Sequence, residues 1–256
     1  MVRRICSPHL LIVGWNQQAI LARSRAPQIS PFKSWFRVQD VAVNSVYASG
    51  WGILGDLASH FDTTLAQECY ANQNISEQAI LKYMYDPETH LFHHLWQAKD
   101  GTQQRHPVKT IQILFPLLLS SLPSESLEKI VQLLQDENEF GTRYMIPTVA
   151  KSEPEYNPVA NTLLLWRGPI WGFTNWFIME GLEKHGKRYP HCLDITHNRD
   201  ELTLILNKWI EMVQQNGIWE HYNPETGRGY GAEGLGMSCL LVDWMARLGF
   251  VDIQKV

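Results

Sequence analysis

Two stretches of this chain combine residue types that do chemistry together. Asn216 to Gly231 reads NGIWEHYNPETGRGYG, and its central carboxylate, Glu220, is set between Trp219 and Tyr222. Pro224, Gly227, Gly229 and Gly231 follow, a density that predicts a loop brought close to a ligand rather than a long regular element. An acid flanked by aromatic rings suits sugar chemistry: the carboxylate handles a proton while flat rings pack on the C–H faces of a sugar. The bland reading is an exposed glutamate in an ordinary loop, which is the reading adopted for Glu225 in the turn itself. The second stretch, Trp166 to Trp176, reads WRGPIWGFTNW. Arg167 is a rigid bidentate donor, and Gly168 lets the backbone approach whatever Arg167 holds. Trp171, Asn175 and Trp176 recur at about one helical turn and could line one wall of a cleft. Here the competing reading is a structural ion pair for Arg167 and core packing for the tryptophans.

A hydrolytic site needs a second carboxylate. Asp40, in FRVQDVAVN, is the conspicuous candidate; it falls among apolar residues with Asn44 one turn later. A buried Asp needs partners, so Asp40 is either a site residue or a tie between helices, and the tie is slightly favoured. Glu153 and Glu155 are the other acids that could stand in. His93, His94 and His106 could be read as metal ligands, but neighbouring residues on a strand point to opposite faces and do not easily share one ion, so satisfied surface histidines are the favoured reading.

The elements that must position these groups are mostly helical. Val38, Val41, Val43, Val46, Tyr47, Trp51, Leu54, Leu57 and Ala58 recur at helical spacing within a helix expected over 33–61. Asp62-Thr63-Thr64 should cap the next one, which ends at Asp86-Pro87. A short β-hairpin is expected within 86–105, turning at Asp100-Gly101. Helices follow over 108–121, from Pro123-Ser124, over 168–186 with Pro169 in the first turn, over 198–215 and over 235–248. Residues 1–32 are the least informative, with one helix around 8–23. Strands and helices do not alternate, which argues against a parallel sheet.

Composition narrows the function further. Hydrophobic residues make up 45% of the 256, a globular proportion, and the net charge of −4 without a basic run argues against nucleic acid or an anionic membrane surface. There is no phosphate-binding glycine motif. Ten tryptophans, several beside Gly, Pro or Asn, favour a carbohydrate cleft over core filling alone. Cys6, Cys69, Cys192 and Cys239 are widely spaced, so reduced thiols and a cytoplasmic location are expected rather than a zinc site or a disulfide framework. The apolar run near the start is too short to span a membrane.

LWRGPIWGFTNW, followed about 45 residues later by EHYNPETGRGYG, resembles the C-terminal half of the (α/α)6-barrel glycosidases of glycoside hydrolase family 63 and the mannosylglycerate-hydrolase-like group. PFKSWFRVQDVAVNSV and FGTRYMIPTVAKSEPEYNP resemble connecting segments of that group, so the likeness runs from about Pro31 to Gly249. It implies an all-α toroid and an inverting hydrolase without a cofactor. Glu220 would be the general base acting on a water, and Trp166, Arg167, Gly168, Trp171, Asn175, Trp219 and Tyr222 the sugar contacts. The pair of carboxylates in such an enzyme stands roughly 6.5–9.5 Å apart to admit the water. The substrate class would be a small α-glucoside or α-mannoside, such as glucosyl- or mannosylglycerate.

The departures from the family pattern matter as much. The family's general acid lies in a D-N-S-P-R-like motif before the FRVQD-like segment; this chain lacks the motif, and Asp40 matches a later Asp. A full barrel has twelve helices and the sequence offers about seven or eight, so one helical domain over 1–256 that starts inside the barrel is expected, with an apolar face exposed. Leu165 replaces the usual aromatic before WRGP, and Gly236-Met237-Ser238 an aromatic-rich segment. Two further readings follow: a carbohydrate-binding or degenerate chain lacking the acid, and a helical scaffold with no sugar role. A carboxylate facing Glu220 would favour the enzyme, exposed aromatics without one the binder, and Arg167 tied to a core acid the scaffold.

Overall fold

The computed structural model describes residues 14–15, 38–97, 102–159, 165–188 and 195–250. The helix expected around 8–23 and the turn at Asp100-Gly101 lie outside them. The chain divides into two compact units, one formed by residues up to 107 with 119–121, the other by 108–118 and 122 onward. Among the described residues no helix is long and apolar enough to cross a membrane.

The first unit is built on a helical hairpin. Two short strands, β1 (Gly14–Trp15) and β2 (Val38–Gln39), come before it. α1 (Val41–Ala58) then begins at Asp40, whose Oδ1 accepts the Val43 N–H at 2.9 Å. Asp40 is therefore the cap of this helix and not an interior residue, and the expected start at 33 is displaced by β2. α2 (Thr63–Tyr83) starts as its sequence indicates: Asp62 Oδ1 accepts from Thr64 N and Leu65 N, each at 3.0 Å. The helices approach closely because Gly55 carries no side chain, and the Tyr70 ring fills the space where a Cβ would stand. Glu77, 3% exposed, ties α2 to the segment 119–121 by accepting from Ser120 N (2.9 Å) and Ser121 N (2.8 Å). Apolar side chains of the hairpin are also left exposed, with Ile53 at 65%, Leu57 at 59% and Phe61 at 70%.

The single hairpin expected within 86–105 is two structures. β3 (Tyr85–Asp86) pairs with β4 (Leu91–Phe92), while β5 (Leu95–Gln97) pairs with β6 (Gln103–Arg105) in a four-stranded antiparallel sheet with β2 and β1. His93 and His94 join the two and are buried rather than on the surface. Both are held by backbone pairing: the His93 N–H donates to Met84 O and the His94 carbonyl accepts from His106 N, each at 2.9 Å.

The second unit packs α3 (Ser124–Gln135), α4 (Gly172–Arg188), α5 (Ile195–Asn216) and α6 (Leu241–Arg247) around a core that includes Ile113, Leu114, Ile178, Leu206, Trp209 and Trp244. The buried run Ile111, Ile113, Leu114 and Phe115 forms a 3-10 helix (Ile111–Leu118), rather than the α-helix expected over 108–121, with Pro116 inside it. A second short 3-10 turn (Gly236–Leu240) leads into α6. α4 starts at Gly172, three residues beyond Pro169, because Ile170 is held in a β-bridge and cannot join the helix. Arg247 on α6 closes the unit with ion pairs to Glu180 and Asp243, and its guanidinium lies 4.8 Å from the centre of the Trp244 ring.

Candidate active site

The Glu220 stretch is a two-stranded hairpin, not an open loop. β7 (Trp219–Tyr222) pairs antiparallel with β8 (Gly229–Glu233). The turn is closed by Asn223, whose Oδ1 accepts from Glu225 N at 2.9 Å and Thr226 N at 3.1 Å, and Gly227 completes it at φ +73°. The glycines expected to break regular structure therefore supply the turn and a bulge. Trp219 pairs with Glu233 but His221 pairs with Tyr230, so Gly231 and Ala232 together oppose Glu220. A bulge of this kind re-aims a side chain. Glu220 Oε2 accepts the Ala232 N–H at 3.1 Å, and the carboxylate lies over Gly231, at φ +77°, where any Cβ would collide with it.

The tryptophan-rich stretch is brought directly against this hairpin. Ile170 and Tyr222 exchange both backbone hydrogen bonds, at 2.8 and 3.0 Å. Trp171 then stacks on His221, with ring centres 4.8 Å apart and planes 13° apart, and Trp166 stacks on Trp171 at 4.3 Å and 5°. The result is a column of three flat rings beside Glu220. Its outer member, Trp166, is 45% exposed. Arg167 is exposed as well, and among the described residues no core acid forms an ion pair with it.

The remaining candidates build this arrangement from within. Asn175 is buried and spends its amide on Ile146 N (2.7 Å), Ile146 O and Trp171 O (both 3.2 Å). The Tyr222 hydroxyl accepts from Trp219 N at 2.8 Å and donates to Gly217 O at 3.0 Å, and burial raises its pKa. Trp219 is half-buried and donates to Asn216 O. Trp171 is buried within the ring column. Gly168, at φ +143°, meets the Asn157 backbone, and its N–H donates to Thr148 Oγ1 at 2.9 Å. Thr148 in turn donates to Pro169 O, and Asn223 donates to Pro158 O at 3.0 Å, so the segment 140–158 is stitched into the same site.

Two of the three acids named as second carboxylates have other work. Asp40 belongs to the first unit, where it caps α1, and its Oδ2 is 3.5 Å from His94 Nδ1. That nitrogen accepts the Val41 N–H at 3.1 Å, so the imidazole is neutral there; burial also lowers its pKa. Glu153 accepts the Lys109 N–H at 3.1 Å, and Glu155 is exposed. Glu225 is engaged as well, by the Tyr156 hydroxyl and Lys151, both at 3.0 Å. Among the described residues no three metal-ligating side chains cluster.

His221 was not singled out by sequence, although it lies beside Glu220. The residue is 1% exposed and neither ring nitrogen has a hydrogen-bond partner. Burial lowers its pKa and the neighbouring Glu220 acts in the opposite direction.

The chain has recognisable relatives. Residues 14–238 match the mannosylglycerate hydrolase MGH1-like glycoside hydrolase domain. A mannosylglycerate hydrolase of Thermus thermophilus is 27% identical over 84% of this chain and 47% of its own length. A probable mannosyl-oligosaccharide glucosidase of Schizosaccharomyces pombe is 32% identical over 45% of this chain and 15% of its own. The crystal structure of the family 63 mannosylglycerate hydrolase from Thermus thermophilus in complex with glucose superposes with a TM-score of 0.67 at 24% identity, covering 90% of this chain and 52% of that one. The chain thus spans about half, or less, of the length of these relatives. The fold is that of the (α/α)6 toroid glycosidases. With the match running through both units and both motifs, the chain belongs to the mannosylglycerate hydrolase MGH1-like glycoside hydrolase family.

Proposed function

We propose that this protein takes part in inverting hydrolysis of an α-glycosidic bond in a small glucoside or mannoside, with Glu220 as general base. The observation that carries the reading is the Glu220 carboxylate, fixed over Gly231 by the Ala232 N–H and set beside a column of aromatic rings with an exposed outer face. Trp166 offers a flat surface for a sugar's C–H face, and Arg167 offers exposed donors for hydroxyls or the carboxylate of a glycerate. In the reaction a water loses a proton to Glu220 and attacks the anomeric carbon, while an acid on the opposite face protonates the departing oxygen. The match to one family model through both units supports treating them as parts of one catalytic domain. Free Cys69 and Cys239 fit a reducing compartment, here the cytoplasm.

A second reading, sugar binding without hydrolysis, is favoured by one observation: Asp40 and Glu153 both have their carboxylates engaged elsewhere. Proton NMR of the first-formed sugar separates the two. Release of the anomer opposite to that of the substrate supports the inverting enzyme. Binding of the glycoside with no product over days supports the binder, and retention of configuration rules out the proposed role of Glu220.

A further inference from the structure

We infer that His221 holds the water that Glu220 activates, as a positioning residue for the base. The inference rests on the reading of Glu220 just given and extends it to a residue to which no role has been assigned.

The first observation is a place. A methyl group added to Gly231 would collide with Glu220 Oε2 and lie 2.9 Å from His221 Cε1. Oxygen and ring edge therefore stand no more than about 6 Å apart, close enough for one water to reach both with hydrogen bonds of about 2.8 Å. Glu220 and His221 are neighbours on β7, and both come close to the Cβ position of Gly231, where β8 carries one residue more than β7. The second observation is an unmet need. His221 is 1% exposed, and both ring nitrogens lack a partner in the protein. Leaving buried polar atoms unpaired is costly, so such groups are normally met by an internal water or a ligand. The third is rigidity. Trp171 stacks on one side of the imidazole, and the Tyr230 ring centre is 5.9 Å away at 33°. The ring has little freedom to turn elsewhere.

A neutral imidazole has one N–H and one bare nitrogen. The bare nitrogen accepts one hydrogen of the water and Glu220 accepts the other, so the oxygen lone pairs face outward. On attack the water oxygen bonds to the anomeric carbon and the glycosidic C–O bond breaks. Glu220 takes the water's proton, the opposing acid supplies the proton of the leaving oxygen, and His221 exchanges none.

The test uses His221→Phe, which keeps a flat ring for Trp171 but removes both nitrogens, and His221→Gln, which keeps a polar end. Crystal structures of the chain and of both variants are solved at a resolution that shows ordered water. A water within hydrogen-bond distance of both Glu220 and a His221 nitrogen, absent in His221→Phe, is the expected result. A dry His221 edge in the parent chain, or the same water retained in His221→Phe, overturns the proposal, and this readout stands whether or not the chain turns over. In turnover, His221→Phe should lower kcat about 10- to 100-fold, the scale of a misplaced reacting group, with KM within about twofold and partial rescue in His221→Gln. Unchanged kcat in His221→Phe while Glu220→Gln is inactive sinks the His221 role alone. Unchanged turnover in Glu220→Gln sinks the base assignment instead.

Discussion

Replacing Gly231 by alanine asks whether the carboxylate is held where the hairpin puts it. Two costs arise. The first is backbone strain: φ is +77°, and a left-handed conformation costs a residue with a Cβ about 1–2 kcal/mol. The second is steric, since the new methyl would collide with Glu220 Oε2 and lie 2.9 Å from both Glu220 Cβ and His221 Cε1. Crowding of that kind adds about 1–3 kcal/mol and pushes the carboxylate away from Ala232 N. Gly234 is an internal control. It has φ +74° but nothing within 4 Å of an added Cβ, so Gly234→Ala meets the strain alone. A stability change of 1 kcal/mol moves Tm by about 2–4 °C in a chain of this size. Gly234→Ala should therefore lower Tm by about 2–8 °C and leave sugar turnover or binding near the parent value. Gly231→Ala should fall further in Tm and lose at least about tenfold in function. The assay is a thermal melt of both variants together with glycoside turnover, or calorimetric binding where turnover is absent. Equal Tm and equal function in the two variants would refute the placement of Glu220.

Trp166→Ala should weaken sugar binding at least about tenfold while leaving the melt within a few degrees, because the ring is 45% exposed; calorimetric titration reads the first and a melt the second. Glu77→Ala removes the acceptor for Ser120 N and Ser121 N and should cost about 3 kcal/mol in urea denaturation. Arg247→Ala breaks the contacts to Glu180 and Asp243 and uncovers Trp244, for a loss of about 1–2 kcal/mol by the same method. His93, His94 and His221 all have pKa values lowered by burial from the ordinary 6.5. The unfolded chain then binds more protons than the folded one, so stability falls as pH drops below about 6.5 toward the folded values, by up to about 1.4 kcal/mol per pH unit for each histidine. Urea midpoints at pH 7.5, 6.5 and 5.5 should fall in that order, and a flat profile would contradict the buried, neutral state of these rings.

How far the sequence spoke depended on whether a signal was local. The Asp62 cap is local, and the structure uses it with two hydrogen bonds. The apolar spacing of 124–135 is local too, and α3 buries Leu127, Ile130, Leu133 and Leu134 along it. Asp40 misled because valines continue on both sides of it: the one before it belongs to a strand and those after it to a helix, and periodicity alone does not separate them. The glycines of the Glu220 stretch read as loop because a bulged hairpin and a loop share the same composition; only the pairing of Trp219 with Glu233 and of His221 with Tyr230 separates them. The site itself depends on a bridge between Ile170 and Tyr222, far apart in the chain, which no local pattern encodes. That bridge is also why Asn175, Trp171 and Tyr222, legible as polar or aromatic candidates, spend their groups on the framework. His221 was hidden by its neighbour: beside a catalytic-looking glutamate, an imidazole in a short strand carries no signal until its burial and its two unpaired nitrogens are seen.

The most direct test of the catalytic assignment is the hydrolysis of small α-glucosides and α-mannosides, glycerate conjugates included, by the purified chain beside Glu220→Gln. Turnover by the parent chain that falls about 10²- to 10⁴-fold in Glu220→Gln, with the variant folded and still binding sugar, is the predicted result. Equal turnover by the two proteins, or no turnover by a parent chain that binds none of these sugars, would contradict it.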